Sequence, residues 1–313
     1  MTTVAASAGL HHITAICGDP AENVHFYTQV LGLRLVKRTV NFDDPGTWHL
    51  YYGDRSGQPG TALTFFPFQN APSGQPGTGE AFDIAFAVPE GSLDFWVEQL
   101  GSHGVALERR ERFGQPVLSF NDPHGNALSL VAADWAEELP GWESGPLLPE
   151  HAIRGFFGVG LRLAALAPTA QLLGEVLGFE RIAEEHEAVR FRSVEGSGLG
   201  AVVDVHLAPA PSPARQGVGS IHHIAFRARD DDHEMALRAM LGEMDIEATE
   251  QVDRQYFRSV YFREPGGVLF ELATDAPGFE VDEPLERLGE RLMLPAPLEG
   301  RRAMIEAALP PLS

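Results

Sequence analysis

The chain has 313 residues, of which 44% are hydrophobic and 21% are charged, and its formal net charge is −21 at pH 7. A chain of this length can bury a large core and is expected to form about two domains. The strong negative charge argues against a nucleic-acid partner, since the chain could not neutralise a run of phosphates. It also disfavours binding to an anionic membrane surface.

The N-terminal residues and the cysteine content predict the compartment. Residues 1–9 lack the charged and apolar regions of a signal peptide. The most apolar stretch, residues 156–168, is interrupted by Arg162 and is too short to cross a bilayer. Cys17 is the only cysteine, which excludes an internal disulfide. We therefore expect a cytoplasmic protein that binds neither membrane nor nucleic acid.

The first elements along the chain define a module. Residues 9–14 (GLHHIT) are typical of the start of a strand. A helix is predicted from Asp19 to Leu31, because Asp-Pro is a helix-entry signal and Gly32 marks a helix end. Strand-like runs follow at 34–41, 48–53 and 61–66. The resulting order is one strand, one helix and three strands, or βαβββ.

The same order recurs three more times along the chain. The second module opens at 81–88 and closes at 117–131, and the third opens at 156–163. The fourth opens at 220–225 and closes at 260–274. This repeat predicts an α+β fold in which four βαβββ modules form paired, open mixed β-barrels with helices outside.

The repeat also predicts the domain organisation. Modules one and two would form an N-terminal domain at 1–133, and modules three and four a C-terminal domain at 155–274. The segment 134–154 is rich in proline and glycine and is predicted to be a linker. Residues 275–313 are acidic and proline-rich, and the sequence leaves open whether they wrap over the core or form a loose tail.

Ligand-capable residues are concentrated in modules one and four. Both modules open with His-His-Ile, at His11-His12 and His222-His223. Module two has Asp83 in register, and module three has no histidine there. Successive side chains of a strand point to opposite faces, so the two histidines of a pair are expected to separate. The sequence does not decide which histidine of each pair faces inward.

Glu271 lies in an otherwise apolar strand, VLFELA, close to a position opposite Tyr261 in the predicted hairpin. A lone buried carboxylate is costly, so Glu271 must be paired, protonated or bound to metal. The alternative to a metal is an arginine partner such as Arg254. Two histidines and one carboxylate with open coordination positions are typical of the facial triad of non-haem Fe(II) oxygenases.

Four segments carry a family resemblance: GLHHITAICGDPAENVHFY at 9–27, EHAIRG at 150–155, SIHHIAF at 220–226 and RQYFRSVYFREPGGVLFELATDAPGF at 254–279. With them the chain resembles the vicinal oxygen chelate superfamily, which includes glyoxalases, bleomycin-resistance proteins and extradiol dioxygenases. More narrowly, it resembles the dioxygenases that cleave the rings of hydroquinones and chlorohydroquinones. The similarity covers nearly the whole chain.

The resemblance implies a metal site between modules one and four. The implied ligands are His12, His223 and Glu271, and the implied ion is Fe(II), with Mn(II) as the alternative. The residues implied to surround the substrate are His11, Thr14, His222, Arg254 and Tyr261. Modules one and four would then have to pack together although they lie at opposite ends of the chain.

These residue types suit definite roles. An imidazole titrates near neutral pH, so we expect His11 or His222 either to move protons or to support the ligands. Arg254 would hold a phenolate, and Tyr261 would hydrogen-bond a substrate oxygen, with a surface ion pair and core packing as their alternatives. The histidines expected to be structural or solvent-exposed are His25, His49, His103, His124, His151, His186, His206 and His233. Asp230 to Asp232 are expected to cap a helix.

Together, the candidate triad and the resemblance imply an Fe(II)-dependent dioxygenase that uses O₂ to open a small hydroquinone-type ring next to a hydroxylated carbon. Two alternatives stay open: a glyoxalase-like lyase or isomerase using Zn²⁺ or Ni²⁺, and a protein that only sequesters small molecules. A thiol-dependent role in quinone detoxification is a third possibility, and it is compatible with dioxygenase activity on the reduced ring. The sequence does not decide the oligomeric state, and a homo-oligomer is compatible with it.

Overall fold

The elements of the first two modules follow the predicted order. The protein is described by a computed structural model over residues 4–196, 198–208 and 212–313. Module one contains β1 (Leu10–Cys17), α1 (Pro20–His25), β2 (Arg34–Asn41), β3 (Asp44–Gly53) and β4 (Ala62–Pro67). Module two contains β5 (Glu80–Val88), α2 (Leu93–Ser102), β6 (Leu107–Arg112), β7 (Gln115–Asn121) and β8 (Ala127–Ala132).

The same order holds in the second half of the chain. Module three contains β9 (Gly155–Leu163), α3 (Ala167–Glu175), β10 (Phe179–Glu185), β11 (Ala188–Ser193) and β12 (Val202–Leu207). Module four contains β13 (Ile221–Ala228), α4 (Asp231–Glu243), β14 (Val252–Asp253), β15 (Arg258–Arg263) and β16 (Leu269–Thr274). Two short helices follow, α5 (Ala296–Glu299) and α6 (Arg302–Ala308). None of the helices within the described residues is long and apolar enough to cross a membrane.

The ends of the first helix follow from its sequence. The Asp19 side chain accepts a hydrogen bond from the backbone N–H of Glu22, and Pro20 occupies the first turn. A π-helical turn, Phe26–Val30, continues α1, and Gly32 ends it with a φ of +70°. Asp230 caps α4 in the same way, through the backbone N–H of His233. Both predicted helix starts are confirmed.

The strands form two mixed sheets of eight strands each. The first has the order β14-β15-β16-β13-β1-β4-β3-β2 and combines modules four and one. The second has the order β10-β11-β12-β9-β5-β8-β7-β6 and combines modules three and two. The predicted fold class is confirmed: the sheets are open, curled half-barrels with helices outside. The predicted domain boundaries at 1–133 and 155–274 stay a prediction, and each sheet takes one module from each half of the chain.

The centre of the first sheet is an antiparallel pair formed by β1 and β13. Ile13 lies opposite Ile224 at the middle of this pair, and both side chains are fully buried. All eight residues of β1 are buried, because the strand has neighbours on both sides and most of its apolar side chains belong to the main hydrophobic core. This pairing brings the first and the fourth module together.

Each strand of this central pair carries a β-bulge at its first histidine. From Leu10 to His12 the partner strand advances by only one residue, so His11 is the extra residue of β1. From Thr14 to Ala15 the partner runs from His223 to Ile221, so His222 is the extra residue of β13. A bulge interrupts strict side-chain alternation and re-aims side chains. The expected separation of the two histidines in each pair is therefore wrong at these positions.

Residues 275–313 wrap over β2 and β3. The backbone N–H of Met293 donates to the carbonyl of Arg38 on β2 at 2.8 Å. The indole N–H of Trp48 on β3 donates to the carbonyl of Pro310 at 2.8 Å. Ile305 of α6 is buried. The sequence left open whether this segment wraps over the core or forms a loose tail, and the structure shows that it wraps over the core.

The buried seam, the pairing of β1 with β13, is expected to contribute strongly to the stability of the fold. We expect Ile13→Ala to lower the free energy of unfolding by about 2–5 kcal/mol, because it removes a buried side chain and leaves a cavity. Urea unfolding followed by circular dichroism measures the loss. Met304→Ala is the control, since Met304 is 55% exposed and its truncation should change stability little. Equal losses in the two variants would contradict the central place of this seam.

Candidate metal centre

Three potential metal ligands converge on the concave face of the first sheet. The Nε2 atoms of His12 and His223 lie 3.3 Å apart. One carboxylate oxygen of Glu271, Oε2, lies 2.9 Å from His223 Nε2 and 3.3 Å from His12 Nε2. All three residues are buried. Within the described part of the chain, this is the one group of three or more histidine, cysteine or carboxylate ligand atoms that could hold an ion.

The sheet register explains the convergence. His12 on β1 lies opposite Ala225 on β13, and Ala225 lies opposite Glu271 on β16. His223 precedes Ala225 by two residues and shares its face of the sheet. Ala225 is fully buried and lies on β13 between β1 and β16. Its small side chain leaves room for the longer side chains of His12 and Glu271 to meet above it.

The side chains fit one divalent metal ion. Glu271 Oε1 accepts a hydrogen bond from the Ser259 hydroxyl, but Oε2 is buried without a hydrogen-bond donor. A buried oxygen of this kind needs a positive partner. Ligand atoms at 2.9–3.3 Å from one another suit an ion with metal–ligand bonds of about 2.0–2.2 Å. Imidazole and carboxylate together are a donor set for Fe, Mn or Zn.

The charge state of the ligands also suits a cation. Burial alone would raise the pKa of Glu271, but the imidazoles of His12 and His223 outweigh it and hold that pKa well below its usual range. Burial lowers the pKa of His223, against the opposing effect of Glu271. A carboxylate and a neutral imidazole are the forms that bind metals.

The first histidine of each pair contacts the second through its ring. His11 Nδ1 lies 2.9 Å from His12 Nδ1, and His222 Nδ1 lies 2.8 Å from His223 Nδ1. Burial, helped by the adjacent histidine, lowers the pKa of both His11 and His222 to about 3, so both rings are neutral at pH 7. A histidine that coordinates through Nε2 carries its proton on Nδ1, and this N–H donates a hydrogen bond to the neighbouring ring. The bulges thus create two matching donor–acceptor pairs that fix the ligand rings.

A cavity of about 360 Å³ is lined by His12 and His223, two of the three candidate ligands. Its volume lies in the range of small-molecule sites. His222 lines it, whereas His11 lies behind the ligands against a separate small cavity. Six aromatic side chains form much of the wall: Phe42, Tyr51, Phe66, Phe68, Phe257 and Tyr261.

Arg254 and Tyr261 lie together on the wall of this cavity. Tyr261 is directly opposite Glu271 in the sheet register, as the hairpin predicted to within one residue. Arg254 Nε donates to the Tyr261 hydroxyl at 3.1 Å, and Arg254 Nη1 lies 3.2 Å from Asp43 Oδ2. Arg254, which the sequence offered as the alternative partner of Glu271, therefore contacts Tyr261 and Asp43 instead. Burial and then Glu271 raise the pKa of Tyr261, so its hydroxyl keeps a proton to donate.

Thr14 does not line the cavity, but a hydrogen-bonded chain connects it to a residue that does. Its hydroxyl lies 2.7 Å from the Thr64 hydroxyl, which lies 2.9 Å from His49 Nε2. The Tyr51 hydroxyl lies 2.9 Å from His49 Nδ1. His49 lines the cavity, although the sequence grouped it with the structural histidines. Its spacing of two residues from Tyr51 on β3 was the signal that both face the same side.

Among the residues that the structure describes, the second sheet has no comparable ligand set at the matching place. Asp83 stands in register with His12, and its carboxylate lies 2.5 Å from Arg112 and 2.8 Å from the Ser129 hydroxyl. Ser129 in turn aligns with Glu271. A guanidinium group therefore supplies the positive charge that a metal would supply in the first sheet.

Replacement of the carboxylate ligand tests the centre directly. We expect Glu271→Gln to lower the bound iron per chain about tenfold or more, because an amide oxygen carries no charge to offset the cation. Metal analysis after anaerobic loading with Fe(II) measures the content. Glu290→Gln, at a surface carboxylate, should keep the wild-type content. Wild-type iron content in Glu271→Gln would contradict the assignment.

The neutral histidines predict a pH dependence of stability. The pKa of His222 is about 3 when folded, against an ordinary value of 6.5, so below pH 6.5 the unfolded chain binds more protons. Stability of metal-free protein should therefore fall as the pH drops from 7 to 5, by about 1 kcal/mol per pH unit for each such histidine. Urea unfolding in the presence of a chelator measures the slope. His222→Gln should flatten it, and the exposed control His103→Gln should not.

Comparison with known proteins places this geometry in a family. The model of the Glyoxalase/Bleomycin resistance protein/Dioxygenase superfamily matches residues 9–130 and 159–272. MhqO of Bacillus subtilis, provisionally named a ring-cleaving dioxygenase, is 45% identical over 303 residues, covering 97% of this chain and 96% of MhqO. The chlorohydroquinone/hydroquinone 1,2-dioxygenase of Sphingobium indicum is 34% identical over 301 residues, covering 93% of this chain and 92% of that enzyme.

Solved structures agree with this placement. A crystal structure from Bacillus subtilis, provisionally titled a dioxygenase, is 44% identical and superimposes with a TM-score of 0.93, covering 98% of both chains. Glyoxalase I from Zea mays shares the fold, with a TM-score of 0.66 at 15% identity over 90% of this chain and 97% of that chain. The chain belongs to the glyoxalase, bleomycin resistance protein and dioxygenase superfamily, and its similar relatives include proteins named ring-cleaving dioxygenases.

Proposed function

We propose that this protein is an Fe(II)-dependent dioxygenase that opens a hydroquinone-type ring next to a hydroxylated carbon. The observation that carries the proposal is the meeting of His12, His223 and Glu271 at the base of an aromatic-walled cavity. A relative named chlorohydroquinone/hydroquinone 1,2-dioxygenase, 34% identical to this chain, supports the choice of substrate class. We further propose a cytoplasmic location, with a small aromatic substrate and O₂ as the partners.

The metal would be held by the three converging side chains. When bound there, Fe(II) supplies the Lewis-acid and redox chemistry needed for a ring to react with O₂, and three protein ligands leave positions open for small molecules. The same donor set accepts Mn(II). Ser259 orients the carboxylate of Glu271 through Oε1, which leaves Oε2 for the ion.

The cavity wall would bind the ring by its faces and edges. Phe257 lies against the metal-ligand side, with its ring centroid 4.8 Å from that of His12. Phe66 lies opposite the face of His49, with ring centroids 4.3 Å apart. Aromatic walls favour a flat ring over an aliphatic ligand of equal size. The walls also exclude water from the ring during reaction.

Three polar groups would bind the substrate oxygens. Because His222 Nδ1 accepts a hydrogen bond from the Nδ1–H of His223, the proton of neutral His222 lies on Nε2, where it serves as a hydrogen-bond donor. Tyr261 accepts from Arg254 and keeps its own O–H for donation. Arg254 balances negative charge that develops on a phenolic oxygen. In this arrangement His11 acts behind the ligands by orienting His12, and Thr14 acts by supporting His49 through Thr64.

Oxygen uptake tests the proposal. Protein loaded anaerobically with Fe(II) is mixed with hydroquinone, methylhydroquinone or catechol in aerated buffer on an oxygen electrode. We expect uptake with the hydroquinones to exceed uptake with catechol. Catechol as the better substrate would remove the hydroquinone assignment and leave the metal site standing. No uptake with any ring, together with isomerisation of a thiol adduct by the Zn²⁺- or Ni²⁺-loaded protein, would favour the glyoxalase-like alternative.

A tyrosine variant tests the role of the cavity wall. We expect Tyr261→Phe to lower kcat about a hundredfold, since it removes one preorganised donor to a substrate oxygen. Bound iron should stay at the wild-type level, because the Tyr261 hydroxyl contacts Arg254 and none of the three ligands. Wild-type kcat in this variant would make Tyr261 a packing residue.

A further inference from the structure

The only lysine of the chain is buried where the proposed reaction does not use it. Lys37 lies on β2 and its side chain is 0% exposed. Its Nζ atom lies 2.5 Å from Asp282 Oδ1 and 2.7 Å from Glu283 Oε2. Both carboxylates belong to the C-terminal extension, residues 275–313. A buried cation and its two carboxylates are costly to separate, because removal of the cation or of a carboxylate leaves a buried charge without its partner.

Asp282 uses its second oxygen to hold a different segment. Oδ2 accepts hydrogen bonds from the Tyr256 hydroxyl at 2.9 Å and from Gln255 Nε2 at 2.8 Å. The Tyr256 ring also lies beneath the Lys37 ammonium, 5.0 Å from ring centroid to Nζ. One carboxylate therefore connects β2 to residues 254–257, which we call the arginine loop.

Packing from the extension adds to this connection. The Phe279 ring lies 5.2 Å from the Tyr256 ring and 5.1 Å from the Tyr51 ring, centroid to centroid. The backbone N–H of Gly278 donates to the Tyr256 carbonyl at 2.8 Å. The extension thus contacts the arginine loop through a charge, a backbone hydrogen bond and an aromatic face.

The other side of the arginine loop faces the metal centre. Arg254 lines the substrate cavity, and the Phe257 ring lies 4.8 Å from the His12 ring and 5.2 Å from the His11 ring. Gln255 has a φ of +69°, a left-handed conformation that a non-glycine residue adopts only when its surroundings enforce it. Contacts to Asp282 are therefore part of what keeps Arg254 and Phe257 in place.

We propose that the C-terminal extension is an integral part of the substrate site, and that Lys37 and Asp282 are positioning residues for Arg254 and Phe257. The Asp282 carboxylate bonds to Lys37 on β2 and to the arginine loop, so it fixes the loop relative to β2. The loop in turn places Arg254 and Phe257 in the cavity wall. The effect on turnover rests on the proposed function, whereas the effect on the loop does not.

Limited proteolysis tests the loop without any assay of activity. Asp282→Asn leaves the Lys37–Glu283 pair intact but weakens the hold on Tyr256 and Gln255. Tyr256→Phe removes a single hydroxyl and keeps the ring. We expect trypsin to cleave after Arg254 about tenfold faster in both variants than in the wild type. Glu299→Gln, an exposed position of the same extension, is the matched control and should be cleaved at the wild-type rate.

Kinetics then test whether the positioning acts through Arg254. In Fe(II)-loaded protein we expect Asp282→Asn and Arg254→Lys each to lower kcat/KM for hydroquinone about tenfold. The double variant should be no worse than Arg254→Lys alone, since two residues that act through one contact are not additive. Bound iron should stay at the wild-type level in all three.

The outcomes separate the two proposals. Unchanged trypsin cleavage in both Asp282→Asn and Tyr256→Phe would overturn the positioning role, whatever the activity. Additive losses in the double variant would also overturn it, because Asp282 would then act independently of Arg254. Absence of oxygen uptake in the wild type would remove the proposed function alone, and faster cleavage after Arg254 would still support the link between extension and loop.

Discussion

Everything at the candidate metal centre depends on the antiparallel pairing of β1 with β13. These strands come from opposite ends of the chain, and their register sets the positions of His12 and His223 on one face. β16 pairs with β13 in parallel and adds Glu271 to the same row. The three candidate ligands therefore lie on strands with neighbours on both sides, whose backbones are held by ladder hydrogen bonds. Such a base is more rigid than a loop, and a metal site needs its ligands fixed within a fraction of an ångström.

The two β-bulges in the pair formed by β1 and β13 orient the histidines of the candidate metal centre. The bulges at His11 and His222 bring adjacent imidazoles into contact, which a flat strand would keep on opposite faces. As a result each ligand ring is oriented by its own chain neighbour rather than by a distant residue. The second sheet illustrates the other solution to a buried carboxylate: Asp83 is neutralised by Arg112. The same fold thus holds a carboxylate beside an expected metal in one sheet and beside a guanidinium in the other.

Much of this could be predicted from the sequence, because the repeat carries most of the information. The recurrence of βαβββ predicted the fold, and the difference between module pairs indicated which modules carry the candidate ligands that the structure brings together. What the sequence could not supply were effects of register and of contacts between distant segments. Strict alternation failed at His11, since a bulge depends on the partner strand. His49 was missed because its place on the cavity wall depends on the curl of the sheet, in which β4 separates β3 from β1. The wrap of residues 275–313 was undecidable, since its anchors on β2 are remote in sequence.

The burial of Lys37 has a practical consequence for work with this protein. The ε-amine of the chain's single lysine is sealed by two carboxylates and a tyrosine ring. Acylating reagents aimed at lysine, such as activated esters, should therefore find no lysine target while the native state persists. The rate at which such a label is incorporated at Lys37 would therefore report the rate at which the protein opens under native conditions.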